Sequence, residues 1–347
     1  MAEKISAPYP RKYPVMQQPS TEPTQGQKEQ MARRFGMFLH FGINTFHNTE
    51  WSDGTLPAES YAPTAIDADG WVRTAYEAGM NYVIVITKHH DGFCMWDTHT
   101  TDYCINSSPN KTDVVAEVAK ACKKYGVKLA LYYSLWDRHE KCYPDDEAYA
   151  DYMIVHLTEL MDGRYGEIVE LWLDGEWDKP CRSWQLDRIY NTVKTLQPKC
   201  QIGVNQTIGE FNDETGAPGE RYLPVNYQEN DPIRMFPSDF RLWDPNMCRE
   251  DDPKIYTFNG EKYYMPFEQT ICSRKDFSWF YCDIYADKPM MDKEEIIRNY
   301  KILEKTNNLM VINLPPDKGG KLVDGDVKQL LEIADVLGIR RKVSAEQ

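Results

Sequence analysis

The sequence has no block of Lys and Arg residues, and its formal net charge is −14. Nucleic acids and anionic membranes are bound through basic surfaces, so neither is a predicted partner. No apolar stretch is long enough to span a bilayer. The glycine fingerprint GxGxxG is also absent, which argues against the open, doubly wound sheet of dinucleotide-binding proteins.

The sequence also shows no pattern of paired cysteines and no signal peptide at its start. The chain has 9 cysteines and no CxxC pair, a pattern typical of reduced, mostly buried thiols. The first residues, MAEKISAPYPRKYPVMQQPSTEPTQGQKEQ, lack the apolar core of a signal peptide. Two compartments stay open on this basis: a cytoplasmic location, or a periplasmic or secreted one with the leader removed.

Strand-like and helix-like segments alternate along most of the chain. The apolar, strand-like segments lie at about 34–42, 82–87, 127–136, 168–175, 201–206, 263–272 and 308–315. Helical patterns lie between most of them, which is typical of a parallel sheet. The number of units favours a (β/α)₈ TIM-like barrel over residues 30–347. Residues 1–29 are predicted to form an extended arm, and 209–264 an irregular insertion.

Polar side chains follow five successive strands at their carboxyl ends. These side chains are His40, His89 with His90, Tyr133 with Ser134, Asp174, and Asn205 with Gln206. A single polar residue at a strand end is usually structural. Active sites of such barrels, however, are built at the carboxyl ends of the strands, so the whole set predicts a functional site there.

Asp174 is the most informative residue of this set. It follows Leu171-Trp172-Leu173, and a carboxylate in such an apolar setting needs hydrogen-bond donors or a chemical role. A carboxylate nucleophile, a second carboxyl group about 5–5.5 Å away and neutral donors together describe a retaining glycosidase. Trp136, Trp177 and Trp279 are candidate walls for a ring-shaped ligand, whereas Trp172, in mid-strand, fits the barrel core equally well.

A metal site is the weaker alternative for the histidines. On a strand, His89 and His90 would point to opposite faces, which is poor geometry for joint chelation. The sequence therefore predicts neither a metal nor a cofactor.

Several motifs, in order, resemble glycoside hydrolase family 29, the α-L-fucosidases. They are RFGMFLHFGINTF, KHHDGFCMW, DVVAEVAKACKKYGVKLALYYSLWDRHE, ELWLDG and NNLMVINLPPDKGG. The resemblance covers about residues 34–337 and is greatest to the branch that acts on α-1,3/1,4-linked fucose. It implies a single catalytic barrel, here without the C-terminal β-sandwich of many members, because only ten residues follow Leu337.

The resemblance also implies roles for individual residues. Asp174 matches the catalytic nucleophile. The implied substrate-binding residues are His40, Glu50, Trp51, His89, His90, Tyr133, Trp136 and Trp279. Within this set the histidines hold the fucose hydroxyls, the Glu-Trp pair closes over the sugar, and the aromatics of 277–281 pack around its methyl group.

The general acid is where this sequence departs from the family. The branch named above carries a Glu after the fifth strand, but this chain has Gln206 there, and Gln cannot donate a proton as an acid. Glu268 is the favoured replacement and Asp244 the second choice. A glutamate of the 209–264 segment (Glu210, Glu214, Glu220 or Glu229) also stays open.

The sequence therefore predicts a retaining exo-glycosidase that removes terminal α-L-fucosyl residues from fucosylated oligosaccharides or glycoconjugates. Two alternatives stay open: a catalytically weakened barrel that binds sugar, motivated by Gln206, and a glycosidase for another L-sugar related to fucose. A metal-dependent hydrolase ranks below both.

Overall fold

The structure, a computed structural model, describes residues 17–209, 227–234, 236–242 and 248–343. Its strands are β1 (Phe35–Leu39), β2 (Tyr82–Lys88), β3 (Lys128–Ser134), β4 (Ile168–Asp174), β5 (Gln201–Asn205), β6 (Phe240–Leu242), β7 (Ile255–Phe258), β8 (Glu261–Tyr264), β9 (Phe267–Cys272) and β10 (Leu309–Asn313). Its α-helices are α1 (Gln25–Arg33), α2 (Ala68–Glu77), α3 (Val114–Tyr125), α4 (Asp146–Met161), α5 (Leu186–Leu196), α6 (Lys293–Lys305) and α7 (Asp324–Leu337).

Eight of the described strands form a closed parallel barrel in the order β1-β10-β9-β6-β5-β4-β3-β2. The first and last strands pair directly, with Phe35 opposite Met310. The remaining two strands, β7 and β8, form an antiparallel hairpin outside the barrel. The (β/α)₈ architecture predicted from the alternation of segments is therefore confirmed.

Local sequence explains why these elements form where they do. Strand β2 is buried along its whole length, as its continuous β-branched run predicts. Helix α3 is capped at its amino terminus by Asp113, whose side chain accepts a hydrogen bond from the backbone N–H of Ala116 at 2.8 Å. It ends at Gly126, which adopts the left-handed conformation with φ 68°.

Two predicted boundaries differ from the structure. The sequence predicts an extended arm over 1–29, but helix α1 begins at Gln25, where Thr24 and Gln27 form a capping box. The segment 209–264 was expected to be irregular, yet its described part contains barrel strand β6 and the β7–β8 hairpin. Strand β6 has only three residues, too few to give a periodic signal in the sequence.

The pleat of the strands separates two cores. In β2, Ile84 and Ile86 pack inside the barrel, whereas Val83 and Val85 pack against the surrounding helices. The same alternation places Trp172 of β4 inside the barrel. Each strand therefore presents every second side chain to the barrel axis.

Helix α1 packs against the amino-terminal end of the barrel through polar contacts. Gln30 donates a hydrogen bond from Nε2 to Oε2 of Glu170 at 3.1 Å. Arg33 forms an ion pair with the same carboxylate at 2.5 Å. These contacts lie near the amino-terminal end of the barrel. Through Arg33, helix α1 supplies the positive charge that the buried carboxylate of Glu170 needs.

A second buried carboxyl group, that of Glu268, lies beside Glu170. The hydroxyl of Tyr82, the first residue of β2, donates a hydrogen bond to Oε2 of Glu268 at 2.6 Å. Burial, followed by the charge of Glu170, raises the pKa of Glu268 well above its ordinary value. Glu268 therefore retains its proton to a higher pH in the folded protein than in the unfolded chain.

Within the described residues, the helices are all too short or too polar to cross a lipid bilayer.

We expect the substitution Glu268→Gln to change how stability depends on pH. In the wild type, the free energy of unfolding falls as pH rises from about 4.5, where the unfolded group titrates, towards the raised pKa of the folded state. The slope from this one group is at most about 1.4 kcal/mol per pH unit. Glutamine has no such proton to lose, so the variant lacks this fall.

Urea denaturation between pH 5 and pH 9 measures the difference. The matched control is Glu261→Gln, because Glu261 is exposed at the start of β8. Parallel pH profiles for wild type and Glu268→Gln would contradict the assignment of a protonated Glu268.

Candidate active site

A small cavity of about 40 Å³ opens at the carboxyl end of the barrel. Its lining combines a carboxylate, imidazoles and aromatic rings: Phe38, His40, Trp51, His89, His90, Tyr132, Trp172, Asp174, Trp177, Thr270 and Trp279. The structure thus brings together residues that are widely separated in the sequence, at the end of the barrel where the strand-end pattern predicted a site.

Asp174, the last residue of β4, is the carboxylate of this cavity. It is 7% exposed. The hydroxyl of Tyr132 donates to its Oδ2 at 2.7 Å, and Nδ2 of Asn205 donates to its Oδ1 at 2.9 Å. His90 lies close by, with Nε2 3.7 Å from Oδ2. Two donors on neighbouring strands therefore fix the plane of the carboxylate.

Three histidines surround the space in front of Asp174. Nδ1 of His40 is 2.8 Å from Oδ1 of Asn313, and Nδ1 of His90 is 2.7 Å from Oγ of Ser134. Burial lowers the pKa of His40 to about 3 and lowers the pKa values of His89 and His90 well below the ordinary value. All three imidazoles are therefore neutral, each with one N–H donor and one acceptor nitrogen, which suits hydroxyl groups.

His89 and His90 both line the cavity, in contrast to the opposite faces expected from the sequence. Strand β2 ends at Lys88, so the two histidines lie beyond the strand and escape its alternation. Their ring centroids are 4.1 Å apart. Asp91 then shapes the turn by accepting a hydrogen bond from the backbone N–H of Phe93 at 2.7 Å. Among the residues that the structure describes, no group of three or more His, Cys, Asp or Glu is arranged to hold a metal ion.

The carboxylate of Glu50 hydrogen bonds to the backbone of the segment that carries Trp279, a residue of the cavity wall. Its Oε2 accepts hydrogen bonds from the N–H groups of Trp279 at 3.1 Å and Phe280 at 3.0 Å. The ring of Phe280 lies edge-on to His40 and His89, with centroid distances of 5.4 Å and 4.9 Å. Burial raises the pKa of Glu50 above its ordinary value.

Trp51 and Trp136 lie at the mouth of the cavity. Trp51 is 49% exposed, and its ring is edge-on to His90 at 5.3 Å. Trp136 contacts both Trp51, at 5.8 Å, and His90, at 5.2 Å. Trp177 runs nearly parallel to Trp51, with an interplanar angle of 23°. The mouth is therefore bordered by a group of indoles on one side.

Tyr133, expected to face the ligand, points away from it. Its hydroxyl is 3.0 Å from Nδ1 of His156 in α4, and the ammonium of Lys88 lies over its ring at 4.7 Å. Its neighbour Tyr132 is the tyrosine that reaches the cavity, where it stacks on His89 at 5.5 Å. Two adjacent tyrosines do not by themselves indicate which of them faces inward. Side chains alternate along paired strands, so the inward-facing position of Asp174 in β4 selects Tyr132 as the inward-facing tyrosine of β3.

Glu268 does not lie in this cavity, so its assignment as the general acid is corrected. It is the second residue of β9 and contacts the first residue of β2, at the amino-terminal end of the barrel, whereas Asp174 ends β4. Asp244, the other choice, lies outside the described residues, as do Glu210, Glu214 and Glu220.

Gln206 follows strand β5 directly. Its backbone N–H donates to Oδ1 of Asn205 at 2.9 Å and also to the carbonyl of Leu242 at 2.9 Å. The sequence identified Asn205 only as a polar residue at the end of a strand, whereas in the structure its side chain hydrogen bonds directly to Asp174. Asn313, the partner of His40, was missed altogether because it ends an otherwise apolar strand.

A sequence profile described as Alpha-L-fucosidase matches residues 48–341. Alpha-L-fucosidase 1 of Arabidopsis thaliana is 33% identical over 338 residues, covering 94% of this chain and 62% of that protein. The chain spans about three fifths of the length of the curated relatives it matches.

A solved structure gives the same result for the fold. The crystal structure of a glycoside hydrolase 29 family member from an unknown rumen bacterium has a TM-score of 0.76 and 25% sequence identity. The match covers 93% of this chain and 58% of that one.

Proposed function

The chain belongs to the alpha-L-fucosidase family, and from this membership we propose that it is a retaining exo-glycosidase that removes terminal α-L-fucosyl residues from glycans. The observation that carries the proposal is the Asp174 carboxylate, held by two donors at the cavity wall and faced by three neutral imidazoles. A charged nucleophile among neutral hydroxyl-binding groups matches the chemistry of a sugar with several hydroxyls and no charge.

In the proposed reaction, an oxygen of Asp174 attacks the anomeric carbon while the bond to the leaving oxygen breaks. The product of this step is a covalent glycosyl-enzyme ester, which water then hydrolyses with overall retention of configuration. Tyr132 and Asn205 keep the carboxylate oriented for attack, and the hydrogen bonds also make it a better leaving group when the ester is cleaved.

The hydroxyl-binding role falls to His40, His89 and His90. Burial keeps them neutral, and because Oδ1 of Asn313 can only accept, Nδ1 of His40 carries the proton and its Nε2 is left to accept a hydrogen bond from a hydroxyl. Ser134 donates its own proton to the carbonyl of Trp136, so Nδ1 of His90 likewise donates to Ser134 and its Nε2 is an acceptor. The exposed faces of Trp51 and Trp279 then supply apolar walls for the C–H surface of the sugar.

The acid that protonates the leaving oxygen is proposed to come from the segment 209–264. A retaining mechanism requires a second carboxyl group about 5–5.5 Å from the nucleophile. Glu268 lies at the other end of the barrel, and Glu229 is exposed on the surface. The remaining choices from the sequence are Asp244 and the glutamates at 210, 214 and 220.

A second candidate function is sugar binding without efficient cleavage. It is favoured by Gln206, an amide at the position where the related branch carries an acid. A glycosidase for another L-sugar would use the same nucleophile and would differ in which sugar hydroxyl groups the histidines bind.

We expect Asp174→Asn to abolish turnover of aryl α-L-fucosides, with a loss on the order of 10⁴-fold or more in kcat, since the covalent step cannot form. After reaction with 2-fluoro-fucosyl fluoride, intact-mass spectrometry should show one adduct on the wild type and none on the variant. Asp178→Asn, at an exposed residue of the same loop, is the control and should keep full activity. Fucose binding by calorimetry with no turnover in the wild type would instead support the second candidate.

The two adjacent tyrosines of β3 give a matched test of which side chain supports the nucleophile. Tyr132→Phe should lower kcat about 10- to 100-fold, because it removes a hydrogen bond to a charged group. Tyr133→Phe removes a hydroxyl that contacts His156 of α4, outside the cavity, and should leave kcat within about threefold of wild type. Equal losses in the two variants would contradict a specific role for Tyr132.

The acid can be identified with variants Glu210→Gln, Glu214→Gln, Glu220→Gln and Asp244→Asn. One of them should lose activity on sugar-linked fucosides far more than on an aryl fucoside with a good leaving group, which needs no protonation. Added azide should restore its turnover by replacing water in the second step. Glu268→Gln is the control. If this variant showed the same substrate-dependent loss of activity and the same rescue by azide, the conclusion that Glu268 is not the general acid would be wrong.

A further inference from the structure

A buried ion pair lies behind the two adjacent histidines of the cavity. The ammonium of Lys88 contacts Oδ2 of Asp137 at 2.9 Å, and the two side chains are 0% and 1% exposed. The same ammonium donates to the hydroxyl of Tyr149 in α4 at 3.1 Å. Because a well-packed apolar pair of similar volume is often at least as stable as a buried ion pair, stability alone is a weak reason for these residues to be charged.

Lys88 faces the helices rather than the cavity because strand β2 contains one extra residue. Ile86 pairs with Tyr132, whereas Lys88, two residues later, pairs with the next residue of β3, Tyr133. Ile86 and Tyr132 pack inside the barrel, and Tyr133 packs outside it, beneath the ammonium of Lys88. Without this bulge, simple alternation would place Lys88 on the same inner face as Ile86. Bulges of this kind redirect side chains beside active sites.

The direction of Lys88 determines which way the next residues point. His89 and His90 follow it directly, and both line the cavity. The extra residue, Thr87, is held by its hydroxyl, which donates to the carbonyl of Tyr132 at 2.5 Å. An ammonium fixed on the outer side of β2 therefore keeps the end of the strand in the register that turns the two imidazoles inward.

Asp137 connects this segment to the loop that follows β3. Its Oδ1 accepts hydrogen bonds from the backbone N–H groups of His139 at 2.9 Å and Glu140 at 2.8 Å, which shape the loop. The intervening residue, Arg138, donates its backbone N–H to the carbonyl of His90 at 2.9 Å. One carboxylate therefore binds the lysine that precedes the histidines and organises the loop that holds the second histidine.

The turn after the histidines packs directly on the same carboxylate. Gly92 has a φ of 88°, and a Cβ at this position would lie 2.5 Å from Oδ1 of Asp137. The N–H of Gly92 donates to the carbonyl of His89 at 3.0 Å. Only glycine allows this approach with this backbone conformation, so the ion pair contacts the histidine segment on both sides.

We propose that Lys88 and Asp137 are positioning residues, which direct His89 and His90 towards the substrate by fixing the bulged end of β2 to the loop after β3. The proposal rests on the proposed function for its substrate, an α-L-fucoside, and on the geometry for its structural part. Neither side chain of the pair lines the cavity, and the ammonium contacts tyrosines on the outer side of the barrel. Both residues therefore act through the histidines and not on the sugar.

The test removes both charges of the pair at once. In Lys88→Met/Asp137→Asn, the asparagine keeps an oxygen for the N–H groups of its loop, and no uncompensated charge is buried. The matched control is Lys194→Met/Asp239→Asn, which makes the same changes in a second, largely buried lysine–aspartate pair with Nζ 2.7 Å from Oδ2. That pair joins α5 to the residue before β6, at the amino-terminal end of the barrel.

Each protein is examined for folding, for local structure and for function. Urea denaturation reports on folding. Hydrogen exchange of the Arg138 and Gly92 amides reports on the histidine segment, since these amides donate to the carbonyls of His90 and His89. Calorimetry with L-fucose, together with KM and kcat for an aryl α-L-fucoside, separates binding from chemistry.

We expect Lys88→Met/Asp137→Asn to fold, with a urea midpoint close to that of the control. The two amides should exchange roughly tenfold faster than in the wild type, and L-fucose should bind about tenfold more weakly. KM should rise by a similar factor while kcat changes by less than about threefold, because the histidines bind hydroxyls both before and during the reaction. The control should match the wild type in exchange, binding and kinetics.

Other outcomes would overturn the proposal. Wild-type exchange and fucose binding in Lys88→Met/Asp137→Asn would show that the ion pair does not position the histidines. Equal losses in the control would show a general effect of removing a buried pair, and failure of Lys88→Met/Asp137→Asn alone to fold would show that the pair serves stability. If the wild type neither binds L-fucose nor cleaves any α-L-fucoside, the proposed function is wrong, yet exchange of the Arg138 and Gly92 amides still decides the structural part.

Discussion

The alternation of side chains along the barrel strands is the constraint on which the rest of this structure depends. In β4, Glu170, Trp172 and Asp174 occupy every second position and all belong to the inner face. With a rise of about 3.3 Å per residue, the two carboxylates at the ends of this series are separated by roughly 13 Å along the strand. Trp172 lies between them.

The barrel axis therefore has three layers of different character. At the amino-terminal end, Glu170 and Glu268 share a buried polar network with Arg33 and Tyr82. The middle is apolar. At the carboxyl end, Asp174 accepts hydrogen bonds from the neutral side chains of Tyr132 and Asn205, and the histidines around it are neutral because they are buried. Carboxyl groups therefore lie at both ends of the barrel axis, within a charged network at one end and among neutral donors at the other.

The sequence was a good guide to the barrel and a partial guide to the site. Periodicity and strand-end polarity were sufficient for the architecture and for Asp174, His40, His89 and His90, because each follows a long apolar run that locates it. Tyr133 and Glu268 were misplaced for one reason: residue type and family resemblance do not determine which face, or which end, of a strand a side chain occupies. Residues such as Asn205 and Asn313 act through partners distant in the sequence, and no local pattern could have paired them.

Closure of the barrel between β1 and β10 has a consequence for how the protein is made. These strands pair in register although nearly the whole described chain separates them, so their contacts carry a large loop-closure cost and form late. Until β10 has been synthesised, the edge of β1 that will pair with it has no partner strand. Such unpaired edges are the places where an incompletely folded chain can associate with another chain.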